Sequence, residues 1–226
     1  MTPVLYKLEA SPPANAVRML ADIIGLQLNL RDVDFVGLEH KSPEYLKMNP
    51  VGAIPTLIDG DFILSDSHAI MKYLLSVYGA DKSESLYPSD VRTRALVDQA
   101  MFFDTGVFFI KVKLVAFQLP SIFEGLTGTT DRLRSEIDGC YSVLEAYLQD
   151  RKFIATDHLT LADLSVGSTA NSLQPIHKLD PAKFPRAAEW LSRLEQESFF
   201  KKIMIPGTKI LEQILEDAWE KNKQKL

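Results

Sequence analysis

The residues best suited to chemistry in this chain lie at two short polar corners. Ser11 stands between an apolar run, Val4 to Leu8, and Pro12-Pro13; a Ser followed by Pro in the first helical turn marks a helix start. An N-cap role there is purely structural, and a chemical role uses the same place. A thiolate brought to such an N-terminus meets the positive end of the helix dipole, and the Ser11 hydroxyl could donate a hydrogen bond to it. Lowering a thiol pKa from about 8.5 to roughly 6.5 takes about 2.7 kcal/mol. One hydrogen bond to a charged acceptor plus a dipole contribution is of that size. The second corner is Ser65-Asp66-Ser67-His68, ahead of Ile70, Met71, Leu74 and Leu75 at helical spacing. A carboxylate, a hydroxyl and free N–H groups meet there, which suits the ammonium and carboxylate of an amino acid. Capping alone, by Asp66 or Ser67, is the plain alternative.

The elements that must position these corners follow from periodicity. Thr56 to Ile58 and Phe62 to Leu64 are short apolar runs split by Asp59-Gly60-Asp61, a strong hairpin signal. Pro55 heads the first run, where its missing N–H costs no ladder bond. Were the Ile54-Pro55 bond cis, the Ile54 N–H and C=O would turn outward to pair with an extended peptide, as in strand addition. Upstream, Val4 to Leu8 reads as a strand, Val17 to Ile24 as part of a helix stopped by Gly25, Leu28 to Phe35 as a strand and Pro43 to Met48 as a short helix. The order β-α-β-α-β-β-α, with right-handed crossovers, makes the first two strands parallel and the last pair antiparallel. We therefore expect an α/β thioredoxin-like N-terminal domain over residues 1–78, a polar linker over 79–89 and an all-α helical bundle over 90–226. The bundle would hold one long helix from Arg92 to Gln118, with further helices around Leu133 to Leu148, Leu161 to Leu173, Pro185 to Leu194 and Gly207 to Asn222.

Composition narrows the functional classes. The chain has 226 residues, 46% hydrophobic and 24% charged, with a net charge of −5. Lys and Arg are dispersed, which argues against a nucleic-acid or anionic-membrane surface. The single Cys140 excludes an internal disulfide, a CxxC redox pair and a Cys-rich zinc site. His40, His68, His158 and His177 show no i, i+4 pairing and no Cys partner, so no metal is expected. The opening Met-Thr-Pro-Val-Leu-Tyr has no leader character and no stretch is as long as a membrane span, which makes a reducing cytoplasm the expected location.

Asn49-Pro50-x-x-x-Ile54-Pro55-x-Leu57 followed by Asp66-Ser67-His68-Ala69-Ile70 resembles the glutathione-binding segment of cytosolic glutathione S-transferases. The acidic-Ser-His-Ala-Ile form is most similar to the insect delta and epsilon classes. Ser11-Pro12-Pro13 looks like their catalytic serine segment. His40, before Pro43-Glu44-Tyr45-Leu46, is similar to the family's contact for the glycyl carboxylate of glutathione; by itself a lone loop His reads as exposed. Thr160-Leu161-Ala162-Asp163 resembles the family's capping motif and speaks for the fold, not for chemistry. Phe103-Asp104-Thr105-Gly106-Val107 is similar to a segment lining the apolar substrate site and part of a dimer contact.

The resemblance implies Ser11 as the catalytic residue and a glutathione grip made of His40, Ile54, Pro55, Asp66, Ser67 and His68. It also implies an apolar site with Phe103, Val107, Phe108 and Lys111, and a homodimer. Phe102, Phe109 and Phe117 crowd the same helix and read first as core. The implied activity is conjugation of the glutathione thiolate to hydrophobic electrophiles, as in xenobiotic detoxification, with glutathione as co-substrate and no other cofactor. A peroxidase or isomerase on the same site, or a non-catalytic carrier of apolar ligands, are the alternatives. Asn15, Gly52, Ala100 and Lys111 depart from the usual family residues. Gly52 replaces a second His, which predicts weaker glutathione binding and a gain on Gly52→His.

Overall fold

The computed structural model describes residues 2–114 and 125–225. β1 (Val4–Lys7) occupies the interior of a four-stranded sheet. Strand alternation sends Leu5 into the main core and Tyr6 to the opposite face, where it packs with Val33 and Tyr45. α1 (Pro12–Ile23) starts at Ser11 with prolines in its first turn and ends at Gly25, whose φ is 70°. There the Gly25 N–H donates to the Asp22 carbonyl (3.2 Å) and the Leu26 N–H to the Ala21 carbonyl (2.8 Å), a Schellman stop that needs the left-handed backbone glycine gives freely.

β2 (Asn29–Asp32) is shorter than the run from Leu28 to Phe35 suggests. It is an edge strand, exposed along its length and paired, in parallel, only with β1. Past its end only the Val33 N–H still reaches across, to the Lys7 carbonyl at 2.9 Å. α2 (Pro43–Met48), β3 (Thr56–Asp59), β4 (Phe62–Ser65) and α3 (Ser67–Tyr78) complete the expected order. The sheet runs β2-β1-β3-β4, with β3 antiparallel to both neighbours. Asp59 pairs with Phe62, so Gly60-Asp61 forms a two-residue loop in which only Gly60 takes positive φ, 63°.

Residues 79–89 are not featureless: they fold into a 3₁₀ turn (Ala80–Lys82) and a one-turn helix, α4 (Ser83–Leu86), that buries Leu86. α5 (Val91–Phe103) then runs into a π turn (Asp104–Phe108) and α6 (Phe109–Val112). The single long helix expected from the sequence is thus interrupted. The wide turn buries Asp104 and Phe108 and exposes the three residues between them. Phe117 and the expected helix end at Gln118 lie outside the described residues.

α7 (Asp131–Tyr147), α8 (Leu161–Ser172), α9 (Pro185–Gln196), a π turn (Phe200–Met204) and α10 (Ile205–Lys223) follow, and no strand occurs beyond residue 90 among the described residues. Every residue of α8 is buried, which fits its run of Ala, Gly, Ser and Thr. A Cβ on Gly167 would stand 2.6 Å from Leu194 Cδ1, so α8 and α9 approach closely there. α1 packs against both α3 and α8. One apolar core, from Leu5 to Leu215, therefore runs through both halves.

Candidate functional site

Register gathers the two corners. Tyr6 pairs with Thr56, Thr56 with Ser65, and Lys7 with Asp32. The C-terminal ends of β1, β2 and β4 and the start of β3 therefore share one end of the sheet. From that end leave Ser11 and α1, the loop to His40, and Asp66 and α3, while Pro55 arrives. The Ile54–Pro55 peptide bond is cis, and Ile54 lies beyond Thr56, the last residue paired with β1.

Ser11 is buried at the N-cap of α1, and its Oγ accepts from the Ala14 N–H at 3.4 Å. That distance exceeds the usual N–H···O range. The cap bond is weak, and the hydroxyl proton has no acceptor among the described residues. The turn ahead of it is held firmly. Asn15, fully buried, donates from Nδ2 to the Glu9 carbonyl (2.8 Å) and accepts from Arg18 Nη1 (2.9 Å), while Lys7 and Arg18 both pair with the Glu9 carboxylate. Burial works to raise the Glu9 carboxyl, but the hydrogen bonds from Lys7 and Arg18 outweigh it and hold it below the usual carboxylate range. A Cβ on Gly207 would collide with the Asn15 amide, so this bare spot on α10 is what admits it. Asn15, a departure from the family pattern, supports the start of α1 from below.

At the second corner the capping and spare groups are divided between neighbours. Asp66 is the N-cap of α3, with Oδ1 accepting from the His68 and Ala69 N–H groups, both at 3.0 Å. Its φ of 74° is unusual for a residue with a side chain, a strain of the kind that collects at binding sites. Ser67 is left with a free hydroxyl: buried at the first helical position, it makes no side-chain hydrogen bond among the described residues.

The loop before Pro55 is pinned from the opposite face of the sheet. Asn49 Nδ2 donates to the Ala53 carbonyl (2.8 Å) and to Thr56 Oγ1 (3.0 Å), while the Tyr45 hydroxyl donates to the Ala53 carbonyl and shares a second hydrogen bond with the Thr56 hydroxyl, both at 2.9 Å. Nearby, His40 is not the exposed loop residue its sequence suggests. It is 6% exposed and stacked on Phe35 at 4.6 Å, and its Nδ1 is buried without a partner among the described residues. Burial, then the Lys41 charge, lower its pKa. Gly52 has φ +59°, and a Cβ there would meet the His40 carbonyl oxygen at 2.7 Å. Gly52→His would therefore strain the loop before it could add a contact, which argues against the expected gain.

His68 turns away from the α3 cap toward the helical half. Its Nε2 lies 3.3 Å from Asp104 Oδ2 and 2.6 Å from Ser165 Oγ, while Nδ1 lies 3.1 Å from Thr105 Oγ1. Ser165 also hydrogen-bonds Asp104 Oδ2, and Asp104 Oδ1 is buried with no partner among the described residues. Sequence reasoning missed Ser165 altogether, since nothing local relates it to a residue 97 positions away. Asp104 is one of the two residues the π turn buries.

The expected apolar lining divides. Phe108 is 0% exposed, wedged between Phe103 (5.7 Å) and Tyr141 (6.0 Å). It is a core residue, because the π turn rotates it inward. Phe103 is half-buried against Phe108 and Tyr147. The Lys111 ammonium is engaged by Glu136 at 2.9 Å. Val107 is exposed, and Ile110 and Leu114 continue an exposed apolar row from it that the sequence reading did not include. The buried Cys140 has its thiol pushed up by burial, which makes it a poor nucleophile. Among the described residues no group of three or more His, Cys, Asp or Glu could hold a metal ion, and no helix is long and apolar enough to cross a membrane.

Comparisons with known proteins match this arrangement. Residues 5–82 match the model of the glutathione S-transferase N-terminal domain, and residues 127–193 that of the C-terminal domain. Glutathione S-transferase 1 of Manduca sexta is 36% identical over 217 residues, 95% of this chain and 98% of that protein. An epsilon-class glutathione S-transferase from the housefly, Musca domestica, superposes with a TM-score of 0.90 at 36% identity, covering 96% of this chain and 98% of its own. A Drosophila mojavensis glutathione transferase homologue solved with bound glutathione gives 0.87 at 36% identity, covering 96% and 97%. With this likeness running through both halves and nearly the full length, the chain belongs to the glutathione S-transferase family.

Proposed function

We propose that this enzyme binds glutathione at the shared end of the sheet and conjugates its thiolate to hydrophobic electrophiles. One observation carries the reading: two helix starts at that end, α1 and α3, each present a serine hydroxyl with no internal acceptor among the described residues. In the proposed complex Ser11 donates to the thiolate, Ser67 binds the γ-glutamyl carboxylate and Asp66 pairs with its ammonium. The Ile54 backbone takes the middle of the peptide beside Pro55. His40 meets the glycyl end. His68 holds the α3 start against Asp104 and Ser165. The glutathione bound in the Drosophila mojavensis neighbour supports the ligand.

The electrophile would lie along Val107, with Ile110 and Leu114 taking the place first given to Phe108, and Phe103 and Lys111 behind them. Exposed Phe62, Val91 and Phe102 support a homodimer. We place the glutathione domain in residues 1–78 and the electrophile domain in 90–226, joined by 79–89, and infer a cytoplasmic role in detoxification.

The test is conjugation of glutathione to chlorodinitrobenzene, with ultraviolet titration of the thiolate in the complex for wild type and Ser11→Ala. The expected result is turnover in wild type and a thiol pKa higher by about one to two units in the variant. Because less thiolate is then present at neutral pH, the rate falls about tenfold there and converges with wild type as pH rises above both values. Superimposable titrations would reduce Ser11 to a helix cap. Binding without turnover would make the protein a carrier.

A further inference from the structure

Ser11 does little to hold its own hydroxyl. Its Oγ has one bond among the described residues, the 3.4 Å one from the Ala14 N–H, so the backbone beneath decides where the hydroxyl stands. That backbone is a turn closed by the Ser11 N–H, which donates to the Leu8 carbonyl at 2.9 Å. Asn15 binds the turn twice. Its N–H donates to the Ser11 carbonyl at 3.0 Å, and its side-chain Nδ2 reaches back to the Glu9 carbonyl at 2.8 Å. On one side the Glu9 carboxylate is gripped by Lys7, itself buried and paired with Asp32 of β2 at 2.6 Å.

On the other side stands α10. Gly207 lies buried in its first turn, and a Cβ there would stand 2.6 Å from the Glu9 carbonyl oxygen and closer still to Asn15 Nδ2. The α10 backbone thus presses on both ends of one hydrogen bond, the one that ties the turn to α1. Arg18, one helical turn on, donates to Asn15 Oδ1 at 2.9 Å and so fixes which end of the amide faces Glu9. Resting on the catalytic reading of Ser11 above, we propose that Asn15 is a positioning residue for the Ser11 hydroxyl, held in place by α10 at Gly207. A helix from the far end of the chain then bears on thiolate activation.

The experiment is ultraviolet thiolate titration of the glutathione complex, with calorimetric binding beside it. The variants are Asn15→Asp and Gly207→Ala, each alone and combined with Ser11→Ala. Asn15→Asp keeps the shape and the acceptor for Arg18 but loses the donor to Glu9. Gly207→Ala pushes on the same bond from α10 and brings no charge. Each should raise the bound thiol pKa by about one unit and leave the glutathione Kd within about twofold. In the Ser11→Ala background neither should add to the shift. Gly167→Ala controls for lost stability alone, since its Cβ would stand 2.6 Å from Leu194 Cδ1 in the helical half; it should titrate with wild type. The proposal is overturned if Asn15→Asp or Gly207→Ala titrates with wild type, or if either shift persists undiminished without the Ser11 hydroxyl. An equal shift in Gly167→Ala would trace the effect to general loosening and overturn it as well. If Ser11→Ala alone titrates with wild type, the catalytic reading falls and takes the proposal with it.

Discussion

The starts of α8 and α3 both use an aspartate to hold a helix, and they are finished to opposite degrees. At α8 the Asp163 carboxylate accepts from the Thr160 N–H (2.8 Å), Thr160 Oγ1 (3.0 Å), the Ile154 N–H (2.9 Å) and Trp190 Nε1 (3.0 Å). It is fully buried, and burial raises its carboxyl despite the donors that pull it down. At α3 only Oδ1 of Asp66 is used among the described residues, Asp66 is exposed, and the adjacent Ser67 has a spare hydroxyl. A saturated carboxylate can serve only the fold. An unsaturated one beside an idle hydroxyl still has capacity for a ligand. The same local device, a capping side chain, thus becomes structure or site according to what the rest of the protein leaves open.

That contrast breaks most visibly at Asp163. Asp163→Ala strands four buried donors and should cost about 3 kcal/mol or more, read as a drop in the urea midpoint. An unchanged midpoint would make the saturation argument wrong. Gly52→His comes next, at about 1–3 kcal/mol for a side chain forced to positive φ against the His40 carbonyl. Glutathione affinity should fall in that variant, and calorimetry showing a gain would restore the expectation drawn from sequence.

At α3 the two roles of Asp66 can be separated. Asp66→Ala should lose about 1 kcal/mol, typical of an N-cap, and raise the glutathione KM. Asp66→Asn keeps an accepting oxygen and tolerates the unusual backbone, so it should hold stability within about 0.5 kcal/mol while still raising KM through the lost charge. Equal KM values for Asp66→Asn and wild type would remove the ammonium contact. The smallest stability effect belongs to Ser67→Ala: with no internal bond to lose it should unfold within about 0.5 kcal/mol of wild type, yet bind glutathione more weakly. A large loss of stability would give the Ser67 hydroxyl a structural role instead.

Sequence alone determined the strand and helix order of the first half, the hairpin at Gly60-Asp61, the helix starts at Ser11 and Thr160, and a third start at Asp66 or Ser67. Each of these depends on contacts within a few residues, so residue type and spacing carry the signal. Tertiary structure alone decided the π turn, the burial of Phe108 and His40, and the meeting of His68 with Asp104 and Ser165. It also decided that Asn15 faces Gly207 and that Lys41 stands in front of Gly52. These join positions distant in the chain, or depend on which side of a helix meets the core, and apolar periodicity cannot say where a helix widens by one residue. The sequence could name a serine at a helix start; only the packing around it showed which serines had a hydroxyl to spare.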